Sequence, residues 1–232
     1  SEPDALVTSA RKHAAGQGER KHQWETQADN SIATSLLLRP TVAIDHLSSL
    51  TLVAAVAVRR AIEELYGIET WIKWPNDVII HGKKVCGILT ETSSEPDYIH
   101  YAVPGIGINA NTPEFPEELR DKATSIYLET GKKTNRNALI AAVMNAFSDY
   151  YRRYLETADL SLLKDEYDAM LVNMNREVLI LYGMVEDADP EKSEKGVAKG
   201  IAPSGALLVE TEAGLKEVLS GEVSVRGVYG YV

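Results

Sequence analysis

The sequence predicts an α+β fold, a sheet backed by helices and followed by a small antiparallel barrel. Three features carry that expectation. Between Trp71 and Asn109 apolar, β-branched runs alternate with short turns, the pattern of neighbouring strands. From Ser48 to Leu65, and again from Leu139 to Tyr154, apolar residues form helical stretches. After Asn175 five short runs separated by charged or glycine turns recur at regular intervals, which suits a barrel of about 55 residues, close to the size at which a domain is marginal alone. The expected units are therefore 1–174 and 175–232.

Taken in order, Ala5 to Ser9 is a strand candidate, and Ala14 to Trp24 is polar, charged and glycine-bearing, without either periodicity, so it is read as a loop. Ile32 to Leu38 is a strand ended by Arg39-Pro40. The helix from Ser48 to Leu65 takes Ser48 or Ser49 as its N-cap and Gly67 as its stop. Trp71 to Lys73 is extended, and Pro75, which donates nothing to a ladder, ends it so that Asn76 and Asp77 turn outward. Val78 to Ile80 and Lys83 to Glu91 form a hairpin about His81-Gly82, and Tyr98 to Ile108 lies beside them. Lys73, Asp77, Lys84 and Asn109 are thereby placed on strands or at strand ends. After a Thr134-Asn135 cap comes the second long helix, whose tyrosines at 150, 151 and 154 read as packing residues. Leu160 to Leu171 is a shorter helix, and the five C-terminal runs are Glu177 to Tyr182, Gly196 to Ile201, Ala206 to Glu210, Leu215 to Leu219 and Glu222 to Arg226.

Composition narrows the functions. The 232 residues carry a net charge of −10, with 24 basic against 34 acidic side chains, which disfavours a broad nucleic-acid or anionic-membrane surface. A hydrophobic share of 44% supports a real core, and no apolar run of membrane-spanning length or signal-peptide pattern is present, so a cytoplasmic location is expected. The single cysteine, Cys86, excludes an internal disulfide framework and reads as a small buried hydrophobe. The five histidines lack metal-ligand spacing, and no Ser/His/Asp grouping is visible, so no protein-borne metal site or acyl nucleophile is expected.

Lysine chemistry remains. Lys73, between two tryptophans, is a functional candidate or a solvated strand residue. Lys84 opens a strand that becomes apolar, so its ammonium either meets a bound anion or sits on an ordinary hairpin. Asp77 either handles a proton or is a turn residue after Pro-Asn. The Gly16-x-Gly18 loop with Arg20 and Lys21 either cradles a phosphate or carboxylate or is plain surface.

Four motifs in this order, Lys73-Trp74-Pro75-Asn76-Asp77, Lys84-x-x-Gly87-Ile88-Leu89-x-Glu91, Gly105-x-Gly107-Ile108-Asn109 and Ser220-Gly221-Glu222-Val223-Ser224-x-Arg226, resemble those of the biotin protein ligase (biotin–[acetyl-CoA-carboxylase] ligase) family. The resemblance implies a class II synthetase-like catalytic domain, with helices on a mixed sheet, followed by an SH3-like barrel. It implies ATP, biotin and Mg²⁺ as the small molecules, and a biotin carboxyl carrier domain as the acceptor. A homodimer is a further possibility it raises. By the same resemblance Lys84 contacts the biotin carboxylate and α-phosphate, and Asp77 orients or deprotonates the acceptor amine. Biotin and adenylate binding fall to His13, Gly16, Gln17, Gly18, Glu19, Arg20, Trp24, Lys73, Asn76, Gly87, Gly107 and Asn109.

The loop departs from the family pattern. Glu19 stands where an arginine faces the adenylate, so an attraction becomes a repulsion of about 1–3 kcal/mol. His13 replaces a glutamine that bonds biotin. The family's opening strand and helix, and an N-terminal helix-turn-helix, have no counterpart, so nucleic-acid binding is not expected and the chain is read as part of a longer polypeptide or a diverged relative. A non-catalytic biotin- or nucleotide-binding relative and a lipoate-type ligase stay as alternatives.

Overall fold

The computed structural model describes the backbone of residues 5–10, 16–17, 23–24, 30–182, 193–220 and 223–227, with side chains over 30–181 and 193–220. The strands are β1 (Ala5–Ala10), β2 (Gly16–Gln17), β3 (Gln23–Trp24), β4 (Ser31–Leu38), β5 (Trp71–Lys73), β6 (Asp77–Ile80), β7 (Lys83–Glu95), β8 (Tyr98–Asn109), β9 (Glu177–Tyr182), β10 (Glu194–Ile201), β11 (Leu207–Thr211), β12 (Gly214–Val218) and β13 (Val223–Gly227). The helices are α1 (Leu50–Tyr66), α2 (Ile126–Thr130), α3 (Arg136–Thr157) and α4 (Lys164–Met170).

A six-stranded sheet runs in the order β1-β4-β8-β7-β6-β5, and a five-stranded sheet in the order β12-β11-β10-β9-β13. Neighbouring strands in both pair antiparallel. The parallel component of the expected mixed sheet is confined to isolated bridges at Ile72–Leu171 and Lys84–Ala123. The segment read as a wholly irregular loop contains the short pair β2–β3, which sets Gly16 opposite Trp24.

The two faces of the large sheet are unlike. One rung across it reads Ile72, Val78, Cys86, Ile108, Ile32, with every side chain at most 1% exposed. That face packs on α1, whose residues from Leu52 to Val58 are buried without a break, and α1 in turn packs on α3. Burying each leucine and valine side chain of that run contributes roughly 1.5–3 kcal/mol. The helix is thus held by position in the core.

Three local expectations are corrected. Ser49 does not cap α1; its hydroxyl donates instead to the His46 carbonyl at 2.5 Å and to Tyr154 Oη at 3.1 Å, because a 3₁₀ turn over Ile44–Ser49 leads into the helix in place of an extended cap residue. Gly67 ends α1 with φ 65°, as expected of a left-handed stop. Asp77 does not turn outward: β5 stops at Lys73, but Asp77 is the first residue of β6, pairs with Gly87, and is 8% exposed. Asn135 caps α3 by accepting from Ala138 N at 3.2 Å, and α4 begins only at Lys164 because 160–163 form turns.

The barrel is docked on the helical side of the sheet. Leu160 N donates to Pro203 O at 2.8 Å, Ile201 N to Asp168 Oδ1 at 2.8 Å, and Trp74 Nε1 to Gly205 O at 2.9 Å. Gly205 has φ 88°, and a Cβ there would lie 3.1 Å from Ser49 Cβ, so a glycine is what lets this turn close on the start of α1.

Candidate functional site

Opposite the helices, the next rung of the sheet reads Lys73, Asp77, Gly87, Gly107, Ala33, Ala10, one residue from each of six strands. Two residues along, on the same face, lie Leu89, Gly105, Ser35 and Thr8; in the other direction lie Asn109 and Ser31. Side chains of minimal size therefore floor the middle of this face, and polar groups gather at one end. A Cβ on Gly105 would meet nothing closer than Leu89 O at 3.4 Å, so the backbone tolerates one and the empty space lies above the sheet. Such a floor admits a flat, partly apolar ligand to the backbone itself.

Lys84 reaches this face because of a bulge. Val78 pairs with Cys86 and Ile79 with Lys84, leaving Val85 as the extra residue. In a regular ladder Lys84, two positions from Cys86, would point with Cys86 into the helices. The bulge turns the ammonium to the side of Asp77, and Lys84 Nζ stands 2.5 Å from Asp77 Oδ1, with side-chain exposures of 28% and 11%. Cys86 stays in the core, where burial pushes its thiol far above the ordinary range, so it is an inert packing residue.

The segment 122–124 closes this end. Lys84 N donates to Lys122 O at 2.8 Å, and Thr124 N to Lys84 O at 2.9 Å. Asn109 Nδ2 donates to Thr124 O at 3.1 Å, so one buried residue, Thr124, holds both Lys84 and Asn109. Its own hydroxyl donates to Glu129 Oε1 at 2.5 Å, and Glu129 Oε2 pairs with His81 Nδ1 at 2.8 Å. Sequence reasoning missed Thr124 and Glu129. The available signal was Ser125, which caps α2 by accepting from Leu128 N at 3.1 Å and so fixes the turn before Glu129.

Of the residues expected in the site, Lys73, Asp77, Lys84, Gly87, Gly107 and Asn109 are brought to one face. Asn76 sits at its edge with a ladder role: Ile88 N donates to Asn76 O at 3.0 Å and Asn76 Nδ2 to Ile88 O at 3.1 Å, which continues the pairing of β7 where β6 has ended. The backbones of Gly16, Gln17 and Trp24 form the β2–β3 pair, while His13, Gly18, Glu19 and Arg20 lie outside the described residues.

Residues 2–109 match the Biotin/lipoate A/B protein ligase family, and 184–226 match the Biotin protein ligase C terminal domain. The chain is 38% identical over 227 residues to the bifunctional ligase/repressor BirA of Bacillus subtilis, covering 96% of this chain and 67% of that protein. It is 30% identical to the biotin--[acetyl-CoA-carboxylase] ligase of Paracoccus denitrificans, covering 94% of this chain and 89% of the relative. The chain belongs to the biotin protein ligase family. A solved biotin protein ligase from Aquifex aeolicus, in complex with biotin and ATP, superposes with a TM-score of 0.81 at 32% identity, covering 95% of this chain and 88% of that one. The α+β architecture and the SH3-like C-terminal barrel are those of the biotin protein ligases.

Proposed function

We propose that this member of the biotin protein ligase family activates biotin with ATP to biotinyl-5′-AMP and transfers the biotinyl group to a lysine of a biotin carboxyl carrier domain. The observation that carries the reading is the Lys84–Asp77 pair at the end of a floor of small residues. In the first step the biotin carboxylate attacks the α-phosphorus of ATP and pyrophosphate leaves. Both reactants are anionic, and negative charge grows on the phosphoryl oxygens, so an ammonium fixed by a bulge and by 122–124 offsets their repulsion and stabilises the transition state. In the second step the acceptor amine attacks the acyl carbon, the mixed anhydride opens and AMP leaves. That amine must first lose a proton, and Asp77 is the carboxylate on this face beside Lys84.

The floor fits the biotin ring system and its apolar chain, with Gly87, Gly105 and Gly107 giving access to the backbone. At the far end Asn109 brings an amide side chain for the nucleotide, and 122–124, whose N–H groups are committed to Leu119 O and Lys84 O, border it. Mg²⁺ enters with ATP and offsets phosphate charge. Within this reading residues 1–174 hold the two small molecules and 175–232 form the barrel that supports them.

The test is biotin-dependent exchange of pyrophosphate into ATP. We expect exchange in the parent protein and its loss, by at least about 10²-fold, in Lys84→Ala. Exchange that survives this change removes Lys84 from the mechanism. Glu19 favours a second reading, a binding protein without turnover, because it sets a carboxylate where the family pattern has an arginine. Biotin or nucleotide binding with no exchange decides for that second reading.

A further inference from the structure

Trp74 belongs to the Lys73–Asp77 motif, yet its side chain does not face the site. The indole is 3% exposed, packs in the core on the helical side, and donates through Nε1 to Gly205 O of the barrel turn at 2.9 Å. We propose that Trp74 is a positioning residue through which the docked barrel sets the place of Asp77, and that it therefore governs the transfer step more than adenylate formation. The inference rests on the ligase reading and assigns a role within it.

Covalent distance gives the first argument. Trp74 lies three residues before Asp77, and the turn between them carries the chain from β5 to β6. This turn borders a cleft of about 310 Å³, lined by Pro75 and Asn76, by Ser48, Thr51 and Thr90, and by Ser220 from the C-terminal part. The indole reaches the barrel turn at Gly205, and there the acceptor carbonyl is itself fixed. Gly205 N donates to Ala202 O at 2.9 Å, and the left-handed Gly205 is pressed against Ser49, Leu52 and Leu160. A buried indole N–H bonded to a buried, rigid carbonyl makes a stiff link between two sheets.

The two members of the ion pair, Lys84 and Asp77, are anchored differently. Lys84 is held from both sides of its backbone by 122–124, with no barrel residue involved in those bonds. Asp77 pairs with Gly87 on one side and with Lys73 on the other, at the very start of β6, so the turn that precedes it sets where its carboxylate stands. Loosening Trp74 should thus disturb Asp77 first and leave the ammonium near its place.

Trp74→Phe keeps an aromatic ring and removes the N–H. Transfer from preformed biotinyl-5′-AMP to a carrier domain, measured in single turnover, should slow about tenfold, while biotin-dependent pyrophosphate exchange falls no more than about threefold. Asp168→Ala removes the acceptor of Ile201 N, a link between the barrel and α4, without touching the turn. It should lower the melting temperature yet leave the ratio of the two rates as in the parent. A parent-like ratio in Trp74→Phe, or an equal change of ratio in Asp168→Ala, overturns the inference. A crystal structure of Trp74→Phe gives a readout independent of turnover: the Asp77 Oδ1 to Lys84 Nζ contact, 2.5 Å in the parent, should open beyond about 4 Å. An unchanged contact refutes the proposal even if the parent catalyses nothing, whereas a parent without exchange refutes the ligase reading alone.

Discussion

At the scale of single residues, the site face is defined as much by side chains that are missing as by those that act. Gly105 pairs with Leu89 and Ser35, and the space above it is where a methyl group would project. Its backbone needs no glycine: the nearest atom to an added Cβ is Leu89 O at 3.4 Å, an ordinary contact. Gly105→Ala should therefore change the unfolding free energy by less than about 1 kcal/mol, since glycine in a strand is itself mildly unfavourable. On the proposed reading biotin affinity should nonetheless fall about tenfold, because the methyl projects into the space above the floor where the ligand would lie. Calorimetric titration with biotin beside a urea melt separates the two effects. Unchanged affinity in a stable variant would mean that the ligand lies elsewhere.

At the scale of elements, the strands and long helices were legible because apolar alternation and spacing are local, and Lys84 and Asn109 were placed on the right strands for the same reason. What brings them together was not legible. The bulge at Val85 that turns Lys84 to the site is a matter of register between β6 and β7, and the sequence Lys83-Lys84-Val85-Cys86 reads equally well without it. Asp77 was expected to turn outward because Asn-Asp after proline is a turn signal; the pairing with Gly87 overrides it. Thr124 escaped notice because its role depends on two backbone groups, those that meet Lys84 and Asn109, which no side-chain pattern reports. Thr124→Val keeps the shape and removes the bond to Glu129, leaving a carboxylate oxygen short of a donor at a cost of about 1–3 kcal/mol. The 122–124 segment should loosen with it, and KM for ATP in the exchange reaction should rise several-fold with the biotin KM little altered. If both constants stay as in the parent, 122–124 does not border the nucleotide.

At the scale of the whole molecule, α3 joins the parts. It packs on α1 beneath the large sheet, and its last turns run to the segment at Leu160 that bonds the barrel through Pro203 O. Two of its tyrosines are buried: burial first, and for Tyr150 the neighbouring Glu166 next, push both phenols up to about 12. An unfolded chain releases these protons near the ordinary value of 10.0, while the folded chain keeps them. Between those values the unfolded state binds fewer protons, so unfolding becomes easier as pH rises; below about 10 the two states are equally protonated and the contribution is fully present. Burial shifts Tyr167 and Cys86 in the same direction, which adds to the alkaline loss. The urea midpoint should accordingly hold from neutrality to about pH 9 and then fall steadily through pH 11. Tyr154→Phe gives the discriminating comparison. It loses the bond from Tyr154 Oη to His46 O at 2.9 Å, so it should be less stable at neutral pH, yet with one fewer shifted phenol its midpoint should fall less steeply above pH 10. A variant whose alkaline slope matches the parent would show that Tyr154 ionises alike in the folded and unfolded chains, and that the packing of α3 on the 3₁₀ turn at His46 and Ser49 is wetter than it looks.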